Sequence, residues 1–122
     1  VIEYLSVDLV IKIHDRDSSA PLLEYGKPES AVLSPQTDYF GQVPYSTLFE
    51  KAAVLLSHIA NAHAFLDGNK RCAWASCELF LLANGVELDL ETQSLVAFIE
   101  DEVVDNNLPV KEIAVWLSQR QA

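Results

Sequence analysis

A mostly α-helical fold, a compact bundle around a central buried helix, is predicted by three features of this chain. Half of its 122 residues are hydrophobic, which gives a single domain spanning residues 1–122 a real core. Apolar residues recur at helical spacing in successive stretches. Those stretches begin and end at residues that cap or break helices. A minor pairing of short β segments is the most sheet this pattern allows.

Val1–Leu5 reads as a short strand. Ser6 can cap a helix that runs to about Asp17, with Leu9, Val10 and Ile13 on one face. Ser18-Ser19-Ala20-Pro21 breaks it. Pro28 opens a short helix carrying Ala31, Val32 and Leu33, and Pro35 stops it. Residues 34–46 hold Pro35, Gly41 and Pro44 and form the longest irregular stretch. Thr47 and Glu50 make a capping box for a helix to about Asn61, whose stripe is Leu48, Ala52, Leu55, Leu56 and Ile59. Asn69 to about Asn84 is helical, with Trp74, Cys77, Leu79, Phe80, Leu81 and Leu82 all round it, so this is the expected central helix. Gly85 is placed to end it. Val86–Leu88 reads as a second short strand, pairing with the N-terminus. Glu91–Val104 and Pro109–Gln119 read as two further amphipathic helices, with Leu95, Phe98, Ile99, Ile113 and Leu117 inward.

The net charge is −10. Non-specific nucleic-acid binding depends on Lys and Arg neutralising phosphates, so this balance argues against direct contact with nucleic acid. It fits a basic protein partner or none; the plainer reading is a merely soluble acidic surface. Cys72 and Cys77 lie five apart in one helical pattern, which is not zinc-ligand spacing. Both read as small buried hydrophobes in a reducing cytoplasm. No apolar run reaches membrane-spanning length and no signal peptide is visible, so a cytoplasmic protein away from membranes is expected.

Between two long helical patterns lies His63-Ala64-Phe65-Leu66-Asp67-Gly68-Asn69-Lys70-Arg71. It reads as a tight loop running into a helix start. Open backbone N–H groups there, with Lys70 and Arg71 beside them, are a natural phosphate seat. The Asp67 carboxylate can hold Mg²⁺, which usually binds through one or two carboxylates plus substrate phosphates. His63 can take a proton from an attacking hydroxyl. Together these parts point to chemistry on a nucleoside triphosphate.

Each residue also has a plainer reading. His63 alone is a capping or core histidine. Asp67 or Asn69 caps the next helix, and Gly68 is a turn glycine. Lys70 and Arg71 are solvated residues, although two cations at a helix N-terminus oppose the macrodipole and imply that an anion sits there. Phe65 anchors the loop in the core. His14 and His58 read as structural or surface residues. Tyr39-Phe40-Gly41-Gln42 is either a buried aromatic pinning a loop or a more specialised flap.

The nine residues resemble the Fic/Doc signature, His-x-Phe-x-Asp/Glu-Gly-Asn-x-Arg, and more closely its death-on-curing branch, where Lys precedes the Arg. Leu48-Phe49-Glu50-Lys51-Ala52-Ala53, Leu79-Phe80-Leu81 and Asn84-Gly85 are similar to the segments flanking that signature. The resemblance covers roughly residues 20–90, and more loosely the whole chain. It implies a Fic/Doc-like helical fold with His63 as general base and Asp67 as Mg²⁺ ligand. It makes Gly68, Asn69, Lys70 and Arg71 the phosphate-binding group, and ATP the substrate. It implies a flap that aligns a target protein's backbone. It implies a bacterial toxin that phosphorylates a Ser or Thr of a translation factor such as elongation factor Tu. A cognate antitoxin with a C-terminal helical segment would restrain it.

AMP-transferring relatives usually read Gly-Asn-Gly-Arg with a second Arg three residues on. Here Lys70 replaces the second glycine and Trp74 stands in place of that Arg. Both changes disfavour the usual AMP-transfer pose, and the resemblance to the death-on-curing branch then implies an inverted nucleotide pose that presents the γ-phosphate. Ala64 stands where Pro is common, which removes no chemistry. The nearest match to the family's inhibitory motif is Ser46-Thr47-Leu48-Phe49-Glu50, followed by Lys51, and it reads as a helix cap rather than an internal brake. AMP transfer on the same site, or a non-catalytic module that binds an antitoxin, are the rival readings.

Overall fold

A computed structural model describes residues 1–122, apart from the side chain of Thr92. The fold is carried by α1 (Val7–Asp17), α2 (Gly26–Leu33), α3 (Leu48–Ala62), α4 (Asn69–Ala83), α5 (Thr92–Phe98) and α6 (Val110–Ser118). Among the described residues there is no sheet; isolated bridges join Leu22 to Phe65, Tyr39 to Gln42 and Leu88 to Gln121.

Local signals set the helix starts. The Ser6 side chain accepts the Leu9 N–H at the head of α1. At α3 the capping box is complete: Glu50 N–H donates to Thr47 Oγ1 and Thr47 N–H donates to Glu50 Oε1, each at 3.1 Å. Thr47→Ala should lower stability by about 1 kcal/mol, read as a lower urea midpoint at unchanged slope. An unmoved midpoint would show that the box carries no weight. α2 begins two residues before Pro28, which sits in the first turn, where a missing N–H costs nothing. Pro35 does not stop the chain dead but falls in a 3₁₀ turn, Ser34–Gln36. The buried Lys51 ammonium donates to the Pro35 carbonyl at 3.0 Å and so ties that turn to α3.

The central helix is α3, not α4. It packs on α2, α4, α6 and the 3₁₀ turn, and buries residues 51–56, Ile59 and Ala60. Its alanines let neighbours approach from several sides. α4 carries more large apolar residues than its buried arc can take, and Leu82 stays 51% exposed. The α4 C-terminus closes as expected. Gly85 takes φ 84, and the N–H groups of Gly85 and Val86 return to the carbonyls of Leu82 and Leu81.

The expected pairing of Val86–Leu88 with the N-terminus does not form. Val1–Leu5 is not a strand: Glu3 exchanges two hydrogen bonds with the Asn84 side-chain amide, at 2.8 and 2.9 Å. That occupies the backbone a strand partner would need. Leu88 instead bridges Gln121, with Asp89 N–H donating to Arg120 O and Ala122 N–H to Glu87 O.

After α5 the helix widens into a π-helical segment, Ile99–Asp105. Leu95, Ile99 and Val103 are all essentially buried. They are spaced by four, and a turn wider than 3.6 residues keeps such a series on one face. Phe98 stacks on Trp116 of α6 at 3.7 Å, with the Arg120 guanidinium 3.8 Å from that indole. No helix among the described residues is long and apolar enough to cross a membrane.

Candidate active site

α3 ends where His63 enters the left-handed region, φ 52 and ψ 47, which turns the chain sharply. The next residues run extended beside residues 21–23. Leu23 N–H donates to Ala64 O at 2.8 Å, and Leu66 N–H to Pro21 O at 3.0 Å. Phe65 between them is buried and stacks on His14 of α1, ring centres 3.6 Å apart and 7° from parallel. The sequence role of Phe65 as an anchor is thus matched by its packing.

The Asn69 side chain is a clamp. Its Oδ1 accepts the Phe65 N–H at 3.1 Å and its Nδ2 donates to Phe65 O at 2.8 Å. It is buried and closes the loop on itself. The amide is therefore spent on the loop, and the polar group Asn69 leaves open is its main-chain N–H.

Asp67 does not cap α4. Its Oδ1 accepts the N–H of Gly68 at 2.8 Å, and Gly68, at φ 83, is the N-cap residue, with no side-chain cap. The N–H groups of Asn69, Lys70 and Arg71 lie in the first turn, where no intrahelical acceptor exists. Lys70 and Arg71 form no ion pair among the described residues. Open donors and two free cations at one helix start make a seat for an anion on a protein of net charge −10.

His63, Asp67, Gly68, Asn69, Lys70 and Arg71 line one cleft of about 370 Å³. Val96 of α5 and Glu100 of the π-helical segment complete its wall. Nothing in the sequence spacing signalled these two; tertiary packing brings them in. A smaller hollow of about 280 Å³, lined by His14, Asp17, Ser18 and Arg71 among others, lies against the same loop. His14 also escaped notice as a site residue, though it is buried and touches the loop. His58 lies outside both hollows, and burial holds its imidazole below the ordinary range.

No cluster of three or more His, Cys, Asp or Glu side chains able to hold a metal exists among the described residues. A cation here would rest on Asp67 and on substrate oxygens. That fits Mg²⁺, which seldom uses an all-protein cage.

The Tyr39–Gln42 segment is a tight hairpin. Tyr39 and Gln42 exchange backbone hydrogen bonds at 2.8 and 3.1 Å, and Phe40 and Gly41 both have positive φ. Phe40 is fully exposed, so the buried-aromatic reading of this loop fails.

A model of the Fic/DOC family matches residues 4–81, from the segment before α1 to near the end of α4. The chain belongs to the Fic/Doc family. It is also 48% identical over 65 residues to a protein named Toxin Doc from Mycolicibacterium smegmatis (strain ATCC 700084 / mc(2)155). That match covers 53% of this chain and 50% of the relative, so the chain spans about half the length of the relative it matches. Lys70 lines the cleft where AMP-transferring members have glycine. Glu50 is engaged by Thr47 and, at 3.1 Å, by Lys111, which leaves it at a helix cap rather than in the cleft.

Proposed function

We propose that this chain is a death-on-curing toxin that transfers the γ-phosphate of ATP to a Ser or Thr hydroxyl of a translation factor similar to elongation factor Tu. The observation that carries this reading is the shared cleft of His63, Asp67 and the uncapped start of α4. A base, a carboxylate and a set of phosphate donors facing one space are what phosphoryl transfer needs, since catalysis there is mostly positioning and charge stabilisation. The family match and the name of the relative support the toxin part of this reading.

In this mechanism His63 accepts the proton of the target hydroxyl. The hydroxyl oxygen forms a bond to the γ-phosphorus. The bond from that phosphorus to the oxygen bridging the β-phosphate breaks, and ADP leaves with the electron pair. Arg71, Lys70 and the N–H groups of α4 balance the charge on the phosphate oxygens. Mg²⁺, held through Asp67, would supply further neutralisation of that charge. The exposed Tyr39–Gln42 hairpin would align the target's backbone. The cytoplasm of a bacterium is the location this activity requires.

The deciding experiment uses ATP labelled at either the γ- or the α-position, with Mg²⁺ and cell extract. Label from the γ-position on protein supports the reading. Label from the α-position would replace it with AMP transfer, and no label would leave a non-catalytic binding module. Lys70→Gly should reduce γ-phosphate transfer and expose any latent AMP transfer; an unchanged product would remove Lys70 from the choice of chemistry.

The antitoxin belongs to the same proposal. Glu50 and Thr47 are committed to a helix cap, so this segment does not serve as the brake, and an outside partner is the reading put forward. A flexible C-terminal segment that folds as a helix in a groove lined by α1 and the residues before Thr47 would supply it. Leu23, Tyr25, Leu33 and Val43 leave apolar surface exposed in that region. Flanking Lys or Arg on the antitoxin would be attracted by the acidic surface, with association slowing as salt rises. Co-expression with a small neighbouring open reading frame should restore growth and give a complex. Neither rescue nor complex would remove the antitoxin.

A further inference from the structure

We propose that His14 is a positioning residue that locks the Asp67–Gly68 peptide in the orientation the phosphate seat requires, an inference that rests on the phosphoryl-transfer reading. His14 lies on α1, 53 residues away from Asp67 in sequence, yet its Nε2 is 2.8 Å from the Asp67 carbonyl oxygen. A carbonyl can only accept, so Nε2 carries the hydrogen and donates it. The ring is 2% exposed, stacks on Phe65, and has its Nδ1 2.9 Å from Asp15 Oδ1. Stacked on one side and bonded through Nε2 to the Asp67 carbonyl, it has little freedom to turn.

The peptide between Asp67 and Gly68 is a rigid plane. Its carbonyl end is held by His14 and its N–H end by Asp67 Oδ1 at 2.8 Å. This plane immediately precedes the open N–H groups of α4. Gly68 tolerates many backbone conformations, so the residue alone does not hold it. A flip would aim the Asp67 carbonyl toward the donors' side and break the bond that orients the Asp67 carboxylate. An inward carbonyl repels phosphate oxygen. The absence of a Cβ at Gly68 matters to the same lock, because an added Cβ would lie 3.2 Å from His14 Nε2.

Two substitutions separate the lock from simple packing. His14→Phe keeps a flat ring against Phe65 and removes the donor. His14→Gln keeps an N–H donor close to the Nε2 position and removes the ring. Three measurements are made on the full chain: γ-phosphate transfer, melting temperature, and amide exchange at Gly68, whose N–H is held by Asp67 Oδ1. For His14→Phe we expect transfer to fall about 10²-fold, the scale of a misplacement of about 1 Å, with faster exchange at that amide than in the wild type and a folded protein. His14→Gln should recover most of the transfer and the wild-type exchange at Gly68. Wild-type transfer and exchange in His14→Phe would overturn the lock, as would equal losses in both variants, which mean packing alone. If the wild type transfers no label, the phosphoryl-transfer reading fails, and the exchange pattern still decides the lock. If His14→Phe does not fold, the imidazole nitrogen spectrum of the wild type decides it: a ring without a hydrogen on Nε2 overturns the assignment.

Discussion

His63→Ala should reduce phosphate transfer by about 10²–10⁴-fold, the usual contribution of a general base, and leave the melting temperature nearly unchanged. His63 is exposed, makes no side-chain hydrogen bond among the described residues, and sits at φ 52. Alanine meets a similar backbone strain there, so the loss of the imidazole is separated from any loss of fold. His63→Gly sharpens the point. Glycine takes positive φ freely, so that variant should be as inactive as alanine and at least as stable. Full activity in either variant removes His63 from the mechanism. Activity that returns with glycine alone assigns His63 to backbone shape.

Asp67→Ala should remove activity and its Mg²⁺ dependence together. A metal clamp on a phosphoryl group supplies roughly several kcal/mol of charge stabilisation, which corresponds to at least about a hundredfold in rate. Stability should change little, because Gly68 and not Asp67 is the N-cap of α4, and the carboxylate bonds only to the next N–H. Asp67→Asn keeps an oxygen for that N–H while losing the charge. It should share the rate loss while holding the loop in place. A residual rate that still responds to Mg²⁺ as the wild type does would exclude Asp67 as the ligand.

What the sequence disclosed was local. Ser6, the Thr47–Glu50 pair and Gly85 act on backbone groups within a few residues, so their roles follow from spacing. The signature is contiguous, so the six of its residues that line one cleft could be grouped before any packing was known. The partner of Val86–Leu88 was not legible, because the competition between Glu3 and Gln121 is settled by the Asn84 amide and by the return of α6. The exchange of α3 for α4 at the centre has a similar cause: an apolar count does not reveal how many neighbours small alanines admit. Glu100 and Val96 enter the cleft through a helix that widens in register with its own buried residues. Asn69 is the instructive case. Both sequence readings, cap and phosphate ligand, assumed a side chain free to reach outward, and its two polar atoms are turned back on Phe65.

The bare start of α4 has an evolutionary consequence. α1 and α3 begin on capping hydroxyls, and a side-chain cap on α4 in place of Gly68 would add roughly a few tenths of a kcal/mol. Drift under selection for stability alone would tend to find such a substitution, and the new side chain would plug the opening for an anion. Position 68 resists this twice. Its backbone lies at φ 83, which strains any residue but glycine, and a Cβ there would press on His14 and Ser18, each 3.2 Å away. A mutation that sealed the helix would therefore have to displace α1 as well. The opening persists because its closure is expensive in two unrelated ways, so a lineage under pressure for thermal robustness alone would still retain it.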